Sequence, residues 1–111
     1  MEYSVDDTAG ITVLNLSGEI DISHSTRLRD TLIEMIENNS GRLLIDLTNV
    51  SYIDSAGLSV LVVAHRKAQG MGGVLGLSNP QKSVQQVFQL TRMVKFFQIY
   101  DSVEAGVAAL G

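Results

Sequence analysis

The chain has 111 residues, 45% of them hydrophobic, and a formal net charge of −4. That is the size of one ordinary domain with enough apolar content for a packed core, so residues 1–111 are expected to form a single domain rather than a disordered chain. The eight basic residues are scattered, which argues against a nucleic-acid surface, and the lack of cysteine removes disulfides, thiolate metal ligands and cysteine nucleophiles.

The start, Met1-Glu2-Tyr3-Ser4-Val5-Asp6-Asp7, has neither the basic residues nor the apolar stretch of a signal peptide. No apolar segment approaches the roughly 20 residues needed to cross a bilayer. The expectation is a soluble, cytoplasmic protein with no membrane contact.

Tyr3–Val5 and Ile11–Leu16 read as short strands around the turn Asp6–Gly10, close enough in sequence to pair antiparallel. Gly18–Ser23 reads as a loop. Leu28, Leu32, Met35 and Ile36 then recur at helical spacing, with Ser23 or Ser25 as the expected N-cap and Gly41 or an asparagine ending the helix. Arg42–Leu47 is a nearly continuous apolar run, the pattern of a parallel strand covered on both faces. A second helix begins at Ser55, with Leu58, Leu61, Val62, His65 and Ala68 facing inward, and stops at Gly70–Gly73. Val74–Leu77 is the next strand. Ser78-Asn79-Pro80 predicts a helix start, with Val84, Val87, Phe88 and Thr91 inward. Phe96–Ile99 is the last expected strand, and Asp101–Glu104 has capping-box spacing ahead of a terminal helix. Strands alternating with helices imply right-handed crossovers and a largely parallel sheet.

The stretch Tyr52-Ile53-Asp54-Ser55-Ala56-Gly57-Leu58 is the most informative in the chain. An apolar strand runs into an acid and a hydroxyl, then a small residue and a glycine, just as a helix begins. Ser55 reads as the N-cap, with Asp54 helping. The position offers unpaired amides, those near Ala56 and Gly57, and the positive end of the helix dipole to an anionic group. Gly57 would leave room for a phosphate to approach the backbone.

Catalytic readings fare poorly. A nucleophile elbow needs glycine where Ile53 stands. His65 lies about ten residues along the helix from Ser55, roughly 15 Å away, too far for a general base. His24 reads as a solvated loop residue and His65 as an edge-of-core histidine. Asp21, Asp46 and Asp54 lack the partners of a dedicated metal site. The glycines from Gly70 to Gly76 do not follow phosphate-loop spacing.

Taken together, Gly18-Glu19-Ile20-Asp21, Leu44-Ile45-Asp46-Leu47, Ile53-Asp54-Ser55-Ala56-Gly57-Leu58, Asn79-Pro80, Leu90-Thr91 and Tyr100-Asp101-Ser102 resemble the STAS domains. The resemblance is strongest to the free-standing anti-sigma factor antagonists of bacteria and covers nearly the whole chain. One departure is Arg92, where many relatives have glycine.

The resemblance implies an α/β fold of STAS type, a mixed, mostly parallel sheet of about five strands with about four helices. It implies a non-enzymatic partner switch without cofactor or metal, a monomer or weak dimer. The unmodified protein would bind an anti-sigma factor, a serine kinase of GHKL type, and so release a sigma factor. Phosphorylation at Ser55 would break that complex, and a PP2C-type phosphatase would restore it. Asp21, Asp54, Ser55, Ala56 and Gly57 are the implied partner-binding residues. The alternative is an accessory subunit of a transport complex, for example in lipid transport, binding an ATPase through the same surface.

Overall fold

The computed structural model describes residues 1–111. Strands β1 (Glu2–Thr8) and β2 (Ile11–Ile20) pair antiparallel in an unbroken register from Glu2↔Ser17 to Thr8↔Ile11. Their turn is only Ala9-Gly10, with φ of 52° and 82°, the doubly left-handed connection that matches strand twist. The expected turn beginning at Asp6 is thus shorter, because Asp6, Asp7 and Thr8 find ladder partners in Val13, Thr12 and Ile11. The expected loop at Gly18–Ser23 is also corrected. Gly18, Glu19 and Ile20 continue β2, held by the parallel partners Val50, Tyr52 and Ile53.

A 3₁₀ turn (Ile22–His24) leads into α1 (Ser25–Asn38), followed by β3 (Arg42–Ile53), α2 (Ser55–Gly70), β4 (Val74–Ser78), α3 (Lys82–Leu90), β5 (Gln98–Tyr100) and α4 (Val103–Leu110). The sheet order is β1-β2-β3-β4-β5, with only the first pair antiparallel. This is the mixed, mostly parallel five-stranded sheet with four helices that the sequence predicts. No helix is long and apolar enough to cross a membrane.

The layers follow from this order. From β2 to β5 each strand lies beside its predecessor, so crossovers of one hand put α1, α2 and α3 on the same face. Leu28, Leu32, Ile36, Leu61, Ala68, Val84 and Phe88 there meet Leu14, Leu16, Leu43, Ile45, Leu47, Leu75 and Leu77 in one large core. The other face is left to α4, whose Leu110 packs with Ile11, Val13 and Leu44. α4 lies so low over Leu44 that a Cβ on Gly106 would stand 2.7 Å from its Cδ1. Where α4 stops, that face turns polar: Asn15 and Asp46 are half-buried neighbours in the ladder. Asp46 accepts hydrogen bonds from the amide and hydroxyl of Thr48.

Several local expectations shift by a few residues. The N-cap of α1 is His24, without a side-chain bond, because the preceding 3₁₀ turn already supplies the cap at Asp21. Pro80 does not open α3. Asn79 takes a left-handed φ of 51° and donates its amide to the Tyr100 carbonyl, so the helix waits until Lys82. Thr91 lies exposed beyond α3 and donates its hydroxyl to the Val87 carbonyl at 2.7 Å. Phe96 and Phe97 precede β5 rather than form it, and Phe97 is buried against Phe88 at 5.6 Å between ring centroids. The α4 cap is Ser102, which accepts from the Ala105 amide at 3.0 Å, so no acid occupies the reciprocal position of a capping box.

Candidate functional site

β2 and β3 are parallel and in register at their ends, Ile20 opposite Ile53. Each strand is followed at once by an aspartate, Asp21 and Asp54, and each aspartate caps the helical turn that follows. Two Ile-Asp corners distant in sequence are thereby set side by side. Asp21 therefore lies beside the turn that carries Ser55.

Asp54 joins the corners. Its Oδ1 accepts from the Gly57 amide at 2.9 Å and its Oδ2 from the Ile22 amide at 3.1 Å, while its own amide donates to the Ile20 carbonyl at 3.2 Å. Asp54, not Ser55, is therefore the N-cap of α2. A carboxylate with two oxygens can satisfy both helical turns at once, which a single hydroxyl cannot.

Asp21 serves its own corner. It accepts from the Ser23 amide at 3.0 Å and the Ser23 hydroxyl, and it lies 2.9 Å from Nδ1 of His24. The Ser23 hydroxyl, together with that amide and His24, holds the Asp21 carboxyl below its ordinary range despite some desolvation. His24, expected as a solvated loop residue, is thus half-buried against this carboxylate.

Capping by Asp54 frees Ser55. It is the first residue of α2, exposed, and its hydroxyl is not engaged by any protein group. The amides of Ser55 and Ala56 have no protein acceptor, whereas the Gly57 amide is taken by Asp54. The pair expected to face an anion, Ala56 and Gly57, is therefore corrected to Ser55 and Ala56. Gly57 has another reason to lack a side chain: it is buried, and a Cβ there would stand 2.6 Å from the Ile20 carbonyl oxygen. The room it leaves is filled by the end of β2, not by an incoming phosphate.

Beside Ser55 a shallow groove of about 270 Å³ runs between α1 and α2, lined by Ile22, Thr26, Ala56, Ser59 and Val60 among others. Ile22 stands at its rim with 75% of its surface exposed. Sequence reasoning missed Ile22, Thr26 and Ser59. The only local signal was an isoleucine inside a polar turn, which reads equally well as core. Elsewhere, no three His, Cys, Asp or Glu side chains converge. His65 is buried, with Nδ1 unpartnered among Phe96 and Phe97.

Residues 2–106 match the family model described as STAS domain. The chain is 34% identical to the anti-sigma-B factor antagonist of Bacillus subtilis over 85% of each chain. Among solved structures it is similar to an anti-sigma factor antagonist from Mycobacterium paratuberculosis, with 25% identity, a TM-score of 0.85 and coverage of 98% of this chain and 92% of that one. It also shares its fold with the Bacillus cell fate determinant SpoIIAA in the phosphorylated form, with 19% identity, a TM-score of 0.72 and coverage of 99% and 100%.

Proposed function

The chain belongs to the STAS domain family, and from that premise we propose that it is an anti-sigma factor antagonist switched by phosphorylation at Ser55. In this reading residues 1–111 form one STAS domain that acts by binding rather than by catalysis. The observation that carries it is an exposed, unengaged hydroxyl at the first position of α2, at a pair of adjacent corners whose carboxylates are fixed as caps. A relative of the same fold solved in its phosphorylated form supports it.

The unmodified surface offers Ile22, the groove beside it, and Ser55 to an anti-sigma factor that is also a serine kinase. Transfer of the γ-phosphoryl group of ATP to the Ser55 oxygen breaks the bond from the γ-phosphorus to the bridging oxygen, releases ADP and the hydroxyl proton, and adds about 1.5 to 2 negative charges. The unpaired amides of Ser55 and Ala56, at the positive end of α2, receive that group without a change of fold. The partner receives it badly. Asp21 and Asp54 are held by Ser23, Ile22 and Gly57 and cannot turn away, so a third anion arrives where a neutral hydroxyl was buried. A cost of roughly 3 kcal/mol corresponds to about two decades of affinity. A PP2C-type phosphatase would reverse the step by hydrolysing the phosphoserine.

The test is affinity capture combined with kinase labelling. Ser55→Ala is expected to lose ATP-dependent labelling and keep its partner, while Ser55→Asp loses the partner by tenfold or more. Labelling that persists in Ser55→Ala, or permanent capture of a transporter ATPase whatever the state of Ser55, would overturn the scheme.

A further inference from the structure

The sheet ends in two edges of very different character. β5 has three residues; β1 has seven, all exposed, with no proline, lysine or bulge, and its only blunting feature is the charge of Glu2, Asp6 and Asp7. Long, regular edges of this kind are normally blunted by such features, because they offer unpaired backbone groups to another strand.

Which groups are offered follows from the hairpin. With a two-residue turn, Thr8↔Ile11 is a hydrogen-bonded pair, and alternate pairs back to Glu2↔Ser17 are bonded likewise. The amides and carbonyls of Tyr3, Val5 and Asp7 therefore point outward. The side chains of these three residues share the sheet face covered by α1, and Tyr3 and Val5 are 40% and 50% exposed. On that face Arg27 of α1 lies over the Tyr3 ring, 5.6 Å from its centroid, and pairs with no carboxylate of its own chain.

We infer that β1 is a homodimer interface, at which a second copy adds its own β1 antiparallel about a two-fold axis at Val5. The ladder then has two hydrogen bonds between the Val5 residues and two more in each Tyr3–Asp7 pair. In this register Glu2 meets Thr8, Asp6 meets Ser4 and Asp7 meets Tyr3, so no acid directly opposes another on this acidic strand. Asp7 of each copy arrives beside the Tyr3 ring under the other copy's Arg27, which has only the Met1 carbonyl at 3.4 Å as a hydrogen-bond partner in its own chain, an exchange that occurs twice by symmetry. The residual repulsion is diagonal, between the two Asp6 carboxylates and between each Asp6 and the other copy's Glu2, at roughly 7–8 Å, and each Asp6 already accepts from Asn15 at 2.8 Å. Opposite strand directions place the two Ser55 corners at opposite ends of a continuous sheet. Dimerisation thus leaves both partner sites open and makes the assembly bivalent.

Because the chain has no cysteine, the register can be read directly. Antiparallel bonded pairs place Cα atoms about 5.5 Å apart, within disulfide reach. Under mild oxidation Val5→Cys is expected to cross-link to a dimer at least about tenfold faster than Asp7→Cys, whose two-fold mate is Tyr3, and the Tyr3→Cys/Asp7→Cys double variant is expected to recover the fast rate. By sedimentation velocity of the cysteine-free protein, Arg27→Asp should raise the dimer Kd roughly tenfold, since it acts in both copies, and Arg27→Asp/Asp7→Arg should restore it. Equal cross-linking of Val5→Cys and Asp7→Cys, a monomer throughout up to roughly 100 μM, or failure of the charge exchange to restore association would overturn the inference. So would cross-linking of Val5→Cys in its host to a different protein.

Discussion

Gly57 and Ser55 sit two residues apart and obey opposite constraints. A glycine inside a helix ordinarily costs about 1 kcal/mol against alanine. At position 57 the Ile20 carbonyl oxygen would lie 2.6 Å from the added methyl group, and a backbone oxygen in a parallel ladder cannot step aside. Gly57→Ala is therefore expected to destabilise by about 2–3 kcal/mol, the sign opposite to helix propensity, as measured by urea unfolding. Ser55, facing water, carries no such packing duty, so its variants should report on partners and not on folding. Arg92 shows the same logic at a different address. It adopts a left-handed φ of 60° at the end of α3, where the Met93 amide returns to the Phe88 carbonyl at 2.8 Å. A left-handed turn that glycine would form freely is thus formed here by arginine, at some backbone cost.

At the scale of elements, the site exists because two strand-to-helix corners share one carboxylate. Asp54 satisfies α2 through Gly57 and the 3₁₀ turn through Ile22. In an isolated helix asparagine caps about as well as aspartate. Here Asp54→Asn would present its amide group to one of two N–H donors, so it is expected to cost about 1 kcal/mol, and Asp54→Ala about 2 kcal/mol or more. Hydrogen exchange should show faster opening of the Ile22 and Gly57 amides in both variants, while the β3–β4 ladder remains protected. Loss at Gly57 alone would contradict the shared-cap geometry.

Across the whole molecule, pH acts through His65 and Asp21. Burial, with a lesser contribution from Arg66, holds the His65 imidazole below its ordinary value of 6.5. The unfolded chain then binds a proton that the folded chain refuses, so stability falls as pH drops from about 6.5 toward the folded value. Asp21 has its carboxyl below 3.8, so its contribution is present above 3.8 and lost as pH falls through the lower folded value. Melting temperature is expected to decline in two stages on acidification. His65→Leu should flatten the first stage and leave the second, and an unchanged first stage would remove His65 from that role.

The order of elements, the largely parallel sheet and the address of the candidate site are legible in the amino-acid order alone. Helical spacing, apolar runs and turn residues act within a few positions, so Leu28–Ile36, Arg42–Leu47 and Asp54–Gly57 are legible where they stand. What each polar group does there depends on packing between elements. Gly18–Ile20 is strand only because Val50–Ile53 lies alongside, Gly57 is small only because Ile20 arrives, and Asp54 displaces Ser55 as the cap only because Ile22 supplies a second donor. Those partners are distant in the chain, and their pairing depends on the register of β2 against β3, which no local pattern encodes.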